Sequence, residues 1–452
     1  MARAKGVLPD AVIRDYRASG TFVFANIRPT VADAAAAKSW LVQLTDAVMA
    51  LCAAVDGEPV ARVAVGFGST FFTRFALALP TGLAAPPNVP NPVAFDIGLY
   101  VMSRSDAATA DFLRAVAESG ALADVTIERG YQRHDGRELS GFRDGLRNIE
   151  RARRPEFVFV DVERFPEEPD YADNGTYLAY MKVRQNLAAF LLLPVDQQEA
   201  IIGRRKNDGS RLDLPSGTNP HAEPEFGDPN LPPASCHIRK TGPRGDHHDD
   251  VEIFRRGVPF LTVNADGTLY AGLQFASFQA SLEYLDVILN RWMMNTGFPA
   301  AGTGFDRLVD PAQAFATIEK TSLFFVPPSL PNRPIGEVMF DPPHAHHIPK
   351  LGRVALRKRV QNPDNTPSLG ELGGFGFRLF DAAGQPVCGE FFTNSAGHGL
   401  STPVPTQQPL TLRETTVLPN INPAAEQIVT LTTRSTRVDV LNAAPPNTPG
   451  YS

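Results

Sequence analysis

The stretch TFVFANI (Thr21–Ile27) is rich in β-branched and aromatic residues and reads as a strand. The run of elements that this strand opens decides the fold. Val31–Val55 is Ala-rich, with Trp40, Leu41 and Leu44 at helical spacing. Strands ARVAVGF (Ala61–Phe67) and FDIGLYVM (Phe95–Met102) come next. A helix over Asp106–Glu118 and a fourth strand, VTIERGYQ (Val125–Gln132), complete the run. The order β-α-β-β-α-β predicts a ferredoxin-like unit, with a generic α+β layer as the alternative.

Working outward, the theme recurs. Thr176–Val183 reads as a strand and Val195–Arg204 as a helix. Phe254–Val263 and Tyr270–Ser277 read as strands, and Leu282–Met293 as a helix with its Leu, Ile and Trp on one face. Between them lies a polar stretch with six prolines from Pro215 to Pro233, which must be irregular. Seven more prolines fall from Pro327 to Pro349, so 329–350 reads as a linker. Beyond it, short strands separated by turn signals predict a small all-β sandwich over 351–443, then a tail, 444–452.

Composition bounds the function. The chain has 452 residues, and a net charge of −6 leaves no basic field for general nucleic-acid binding. Its 40 prolines are about twice the usual share, so much of the chain is loop or edge. Three scattered cysteines, Cys52, Cys236 and Cys388, give no disulfide framework and no zinc spacing. The N-terminus has no apolar signal-peptide core, and AAFLLLPV (188–195) is too short to span a bilayer. A cytoplasmic location is the default expectation, with export or encapsulation left open.

Three local signals carry chemistry. In Gly141-Phe142-Arg143-Asp144-Gly145 two glycines let the backbone turn tightly and present a carboxylate. In Cys236-His237-Ile238-Arg239 a neutral imidazole can ligate a metal or haem iron. In Ile253–Phe260 (IFRRGVPF) arginines sit on a strand beside a glycine. Singly, each is more often an ordinary turn, a plain histidine and a solvated arginine pair. The histidine clusters GDHHDD (245–250) and HAHH (344–347) leave a divalent-cation site, and so a zinc hydrolase, as a weaker reading.

Jointly, the order of GFRDG, HIR, an Arg eighteen residues after that His, and GLQFASFQASLE resembles the dye-decolourising peroxidase family. NLAAF…IIGR (186–204) and SLFFVPP (322–328) resemble it too, and the likeness covers about residues 15–328. The resemblance implies an α+β fold of two ferredoxin-like halves (dimeric α+β barrel type), at about 15–160 and 165–328, binding haem b. His237 matches the proximal haem ligand, with Arg239 also on the cofactor. Asp144 matches the distal acid and Arg255 the distal arginine. The implied partners are hydrogen peroxide and bulky phenols or dyes oxidised one electron at a time, and an oligomer is possible. Three positions depart from the pattern. Gly257 stands where some relatives place a distal Asn, Cys236 where a small residue is common, and Ile149 where Pro follows the Asn. Trp40 and Trp292 read as core residues rather than electron relays. The alternative from another class is a non-catalytic haem carrier or surface structural protein with a vestigial pocket.

In the C-terminal part, strand alternation puts Lys358 on the inward face with Val354, Leu356 and Val360. Glu414 shares a face with Leu410 and Leu412, and Asn442 with Val438 and Val440. A Lys, a Glu and an Asn would then meet in an apolar core, where a lone charge is costly. RVALRKRV, GFRLFDAAGQPV, LTLRET and VDVLN (within 351–443) resemble the Cna B-type (SpaA-like) domains. That resemblance implies an isopeptide bond from Lys358 to Asn442, with Glu414 as its catalyst.

Overall fold

The computed structural model describes residues 9, 12, 19–55, 58–151, 153–222, 231–242, 251–330, 332–340, 351–362, 372–419, 421–431 and 435–444. The first half runs β1 (Ser19–Ile27), α1 (Ala34–Cys52), β2 (Ala61–Phe67), β3 (Ile97–Ser103), α2 (Asp106–Glu118) and β4 (Leu122–Gly130). Its strands lie in the order β4-β1-β3-β2, each antiparallel to its neighbours. The second half contributes β5 (Thr176–Gln185), α3 (Val195–Ile202), β6 (Phe254–Arg255), β7 (Val258–Val263), β8 (Leu269–Gln279), α4 (Leu282–Asp286) and β9 (Ala316–Val326). These strands continue the same sheet as β9-β5-β8-β6, with β7 also on β8.

Side-chain period explains the layers. On β1, Val23 and Ala25 face the helices and pack with Leu41, Leu44 and Phe112. Phe22 and Phe24 point the other way, to Tyr180, Phe278 and Phe324 of the second half. The Phe22 and Tyr180 rings lie 4.9 Å apart. The halves join where Phe325 of β9 pairs with Phe67 of β2. On the far side Tyr131 N donates to Pro259 O at 2.9 Å, so the sheet curls back on itself around this aromatic core.

Two expected elements are interrupted. The strand expected over Phe254–Val263 breaks at Arg256-Gly257 into β6 and β7. The helix expected over Leu282–Met293 starts as α4 and widens into a π-helix over Val287–Met293. Both irregularities line the cavity described below, where such features concentrate. The Pro-rich segment is not a bare spacer along its described length. Ile335 N donates to Thr45 Oγ1 at 2.8 Å, and Val338 and Met339 are buried in the first half's core.

The C-terminal unit consists of two facing sheets. β10 (Leu351–Gln361) pairs in parallel with β14 (Ser435–Ala443), while β12 (Pro409–Thr416) lies between β11 (Gly376–Phe380) and β13 (Gln427–Thr430). Val354, Leu356, Leu379, Leu410, Leu412 and Val440 fill the space between them. The unit rests on the second half. Arg437 pairs with Glu167 at 2.8 Å, Ser435 Oγ donates to Glu163 O at 2.9 Å, and Arg357 and His398 both contact Glu283.

Candidate active site

A cavity of about 600 Å³ lies against the second half, within the range of cofactor pockets. Asp144, Arg255 and His237 all line it. Leu273, Phe275, Leu285, Ile288 and Leu289 give it an apolar wall.

The loop carrying Asp144 is a tight hairpin. Asp144 N donates to Gly136 O at 2.9 Å and Glu138 N to Phe142 O at 2.8 Å, with Arg137 and Arg143 bridged between them. The Arg137 guanidinium staples the loop outward, donating to the carbonyls of Gly141, Lys206 and Asn207 at 2.6–2.8 Å. Gly141 has φ +89°, the left-handed region that favours glycine. Gly145 N then donates back to Asp144 Oδ1 at 2.6 Å and fixes the carboxylate.

Arg255 is braced by a residue of the same motif. Asn148 Oδ1 accepts from Arg255 N at 3.0 Å, and Asn148 Nδ2 donates to Arg255 O at 2.8 Å. Arg255 Nη2 donates to Leu146 O at 2.8 Å. Burial lowers its pKa, Arg147 adds to that, and Asp144, Glu138 and Glu252 oppose it. Gly257 lines the cavity beside it, where a Cβ would sit 3.1 Å from Gln274 O.

His237 opens a one-turn helix, His237–Lys240. Its Nδ1 donates to Asp306 Oδ2 at 2.8 Å, and Asp306 is fully buried. Asp306 is itself held: its N donates to Met293 O, and its Oδ1 accepts from Leu308 N, both at 2.9 Å. With Nδ1 committed, Nε2 is the nitrogen left to ligate a metal, the usual arrangement of a ligating histidine. A tethered imidazole, a roomy apolar cavity and a guanidinium on its lining fit haem b.

Arg239 does not join this site. It is absent from the residues lining the cavity and lies near Cys236, Asp213 and Arg211, and burial lowers its pKa. Two residues along a helix is about 200° around it, so His237 and Arg239 leave on nearly opposite sides. Arg204 lines the cavity. Cys236 packs under the left-handed Gly203, where a Cβ would meet its Sγ at 2.4 Å. Trp40 is buried in the first half's core, and Trp292 stacks on Phe298 at 5.6 Å. The clusters 245–250 and 344–347 lie outside the described residues.

Lys240, not singled out in the sequence, anchors the histidine helix. Its Nζ donates to the carbonyls of Asn295, Phe298 and Gly304 at 2.6, 2.6 and 3.0 Å, and burial pushes its pKa down to about 8. Lys240→Met would strip three part-buried carbonyls of their donor. We expect a loss of about 3 kcal/mol in urea unfolding.

A second cluster lies in the C-terminal unit. Lys358, Glu414 and Asn442 meet there as their strand alternation requires. Lys358 Nζ donates to both Glu414 Oε1 and Asn442 Oδ1. Asn442 Nδ2 donates to Glu414 Oε2 at 2.9 Å and to Asn422 O at 2.8 Å. The Phe375 ring lies 4.3 Å from Lys358 Nζ. Burial pushes the Lys358 pKa down to about 8, against the pull of Glu414.

Comparison with known proteins places the larger unit. Residues 135–330 match the family model described as "Dyp-type peroxidase, C-terminal". A dye-decolorizing peroxidase of Rhodococcus erythropolis is 26% identical over 251 residues, 54% of this chain and 64% of that protein. A deferrochelatase of Yersinia pestis is 32% identical over 149 residues, 32% of this chain and 34% of that protein. The matched stretch thus spans less than two thirds of either relative. In structure, a DyP-type peroxidase from Streptomyces coelicolor superposes with a TM-score of 0.61 at 23% identity, over 75% of this chain and 97% of that one. An oxyferrous complex of DtpA from Streptomyces lividans gives the same score and identity over 75% and 98%. The larger unit of this chain has the fold of the DyP-type peroxidases, and residues 135–330 carry the sequence pattern of that family's C-terminal part.

Proposed function

We propose that this chain is a haem-dependent peroxidase that reduces hydrogen peroxide and oxidises bulky phenols or dyes one electron at a time. The observation that carries the reading is that Asp144, Arg255 and the Asp306-tethered His237 line one cavity. Haem b, held through His237, would supply the iron on which peroxide is reduced. The chain's own residues do the rest. Asp144 takes the proton from the inner peroxide oxygen and returns it to the outer one. Arg255, preset by Asn148 and Leu146 O, stabilises the negative charge that grows as the O–O bond breaks. The apolar wall keeps water from competing for these groups. A haem carrier has no use for a braced guanidinium beside an acid, so that reading is not favoured.

The matching strand orders of the two halves support reading each as ferredoxin-like. The Lys358–Glu414–Asn442 cluster supports reading the C-terminal unit as a Cna B-type domain. Its chemistry balances. The neutral Lys358 amine attacks Asn442 Cγ, an amide forms, the Cγ–Nδ2 bond breaks, ammonia leaves, and Glu414 relays the proton.

Asp306→Asn tests the tether. Loss of the carboxylate charge should weaken haem affinity by about 10–100-fold, measured by competition with apomyoglobin. The function itself is tested by steady-state bleaching of an anthraquinone dye with peroxide. Bleaching by the parent and none by His237→Ala is expected; no bleaching by haem-loaded parent would return the carrier reading.

A further inference from the structure

The mechanism leaves unused a buried acid of the cavity wall. Glu138 lines the same cavity as Asp144. Both its carboxyl oxygens are shut off from solvent and accept from no hydrogen-bond donor among the described residues. An ionised carboxylate so placed would be costly. The hairpin explains its neighbour. With 137 bridged to 143, the pairs 136–144 and 138–142 fall on one face, and Glu138 and Asp144 are diagonal partners on it. Asp144 is the charged group that acts on Glu138 most strongly. A protonated Glu138 would find in that carboxylate the acceptor it otherwise lacks.

We propose that Glu138 is a positioning residue of the distal site, whose carboxyl shares a single proton with Asp144. The inference rests on the peroxidase reading of the cavity. The charged groups acting on Glu138 are Asp144 on its own hairpin, Arg255 from β6, and Arg133 at the start of the hairpin. Burial drives its carboxyl well above the usual range, and the charge of Asp144 pushes the same way, while the two arginines oppose. In the proposed pair Glu138 keeps the proton, because two close carboxyls do not readily both ionise. That state suits the reaction. Asp144 can accept the peroxide proton while Glu138 keeps the pair from becoming a dianion beside the outer oxygen.

Infrared spectroscopy of the full-length, haem-loaded protein tests this without relying on turnover. Near neutral pH the parent should show the carbonyl stretch of a protonated glutamic acid that Glu138→Gln removes. Asp144→Asn should shift it, which reads the pair from its other side if Glu138→Gln folds poorly. Glu168, buried beside Tyr177 with its pKa pushed up to about 7, gives a separate band that Glu168→Gln removes. In stopped flow, the parent's rate with peroxide should fall on an alkaline limb as the pair loses its last proton, and Glu138→Gln should lose that limb. A carboxylic-acid band unchanged in both variants, or superimposable pH profiles, would overturn the pair. A haem band in the parent that ignores peroxide would instead strike the peroxidase reading, and with it the pair's purpose.

Discussion

Arg255→Leu should slow the reaction with hydrogen peroxide by about 10²–10³-fold, the usual loss when one fixed donor to a developing oxyanion is removed. The guanidinium is expensive to keep, since burial lowers its pKa and its backbone is held from both sides by Asn148. Such bracing makes sense if the charge it meets appears only in the transition state, because no reorganisation is then needed. Asp144→Asn should cost about 10²–10⁴-fold, the range for removing a general acid–base. Both variants should still bind haem, because neither touches His237 or Asp306. Stopped-flow absorbance separates the effects. Rates that match the parent in both variants would remove Asp144 and Arg255 from the mechanism.

The second large effect belongs to the C-terminal unit. Intact-protein mass should fall short of the sequence mass by one ammonia, and Glu414→Gln should restore it. A bond from Lys358 to Asn442 closes a loop of 84 residues. In the chain-entropy view, a cross-link of that span stabilises by about 4.6 kcal/mol by restricting the unfolded state. Denaturant unfolding of the C-terminal unit should show that loss in Glu414→Gln. The reaction also has a pH sign. Burial pushes the Lys358 pKa down to about 8, so the attacking neutral amine gains population as pH rises through that value. Freshly refolded protein should therefore cross-link faster above it. A parent mass equal to the unmodified sequence would rule the bond out.

Much of the first half was legible because its signals are local. Phe22, Val23 and Phe24 alternate between two cores, and a two-residue period survives in the sequence whatever the tertiary context. The Lys358–Glu414–Asn442 meeting was legible for the same reason. Strand parity fixes which way each side chain points, and only one apolar interior is available. The distal hairpin could be read from its glycines. The support of the site could not. Asp306 lies 69 residues from His237, in a segment with no period, and only tertiary folding brings them to 2.8 Å. Glu138 is six residues from Asp144, yet its importance depends on hairpin pairing that no residue type announces. In the Pro-rich segment proline reports irregular backbone but not whether the next residues, here Val338 and Met339, are buried.

The most direct test of the account is the absorption spectrum of the haem-loaded full-length protein, mixed with one equivalent of hydrogen peroxide. The Soret band should shift within the mixing experiment and return when a phenol or dye is added. A Soret band that does not respond to peroxide, in protein with one haem per chain, would contradict it.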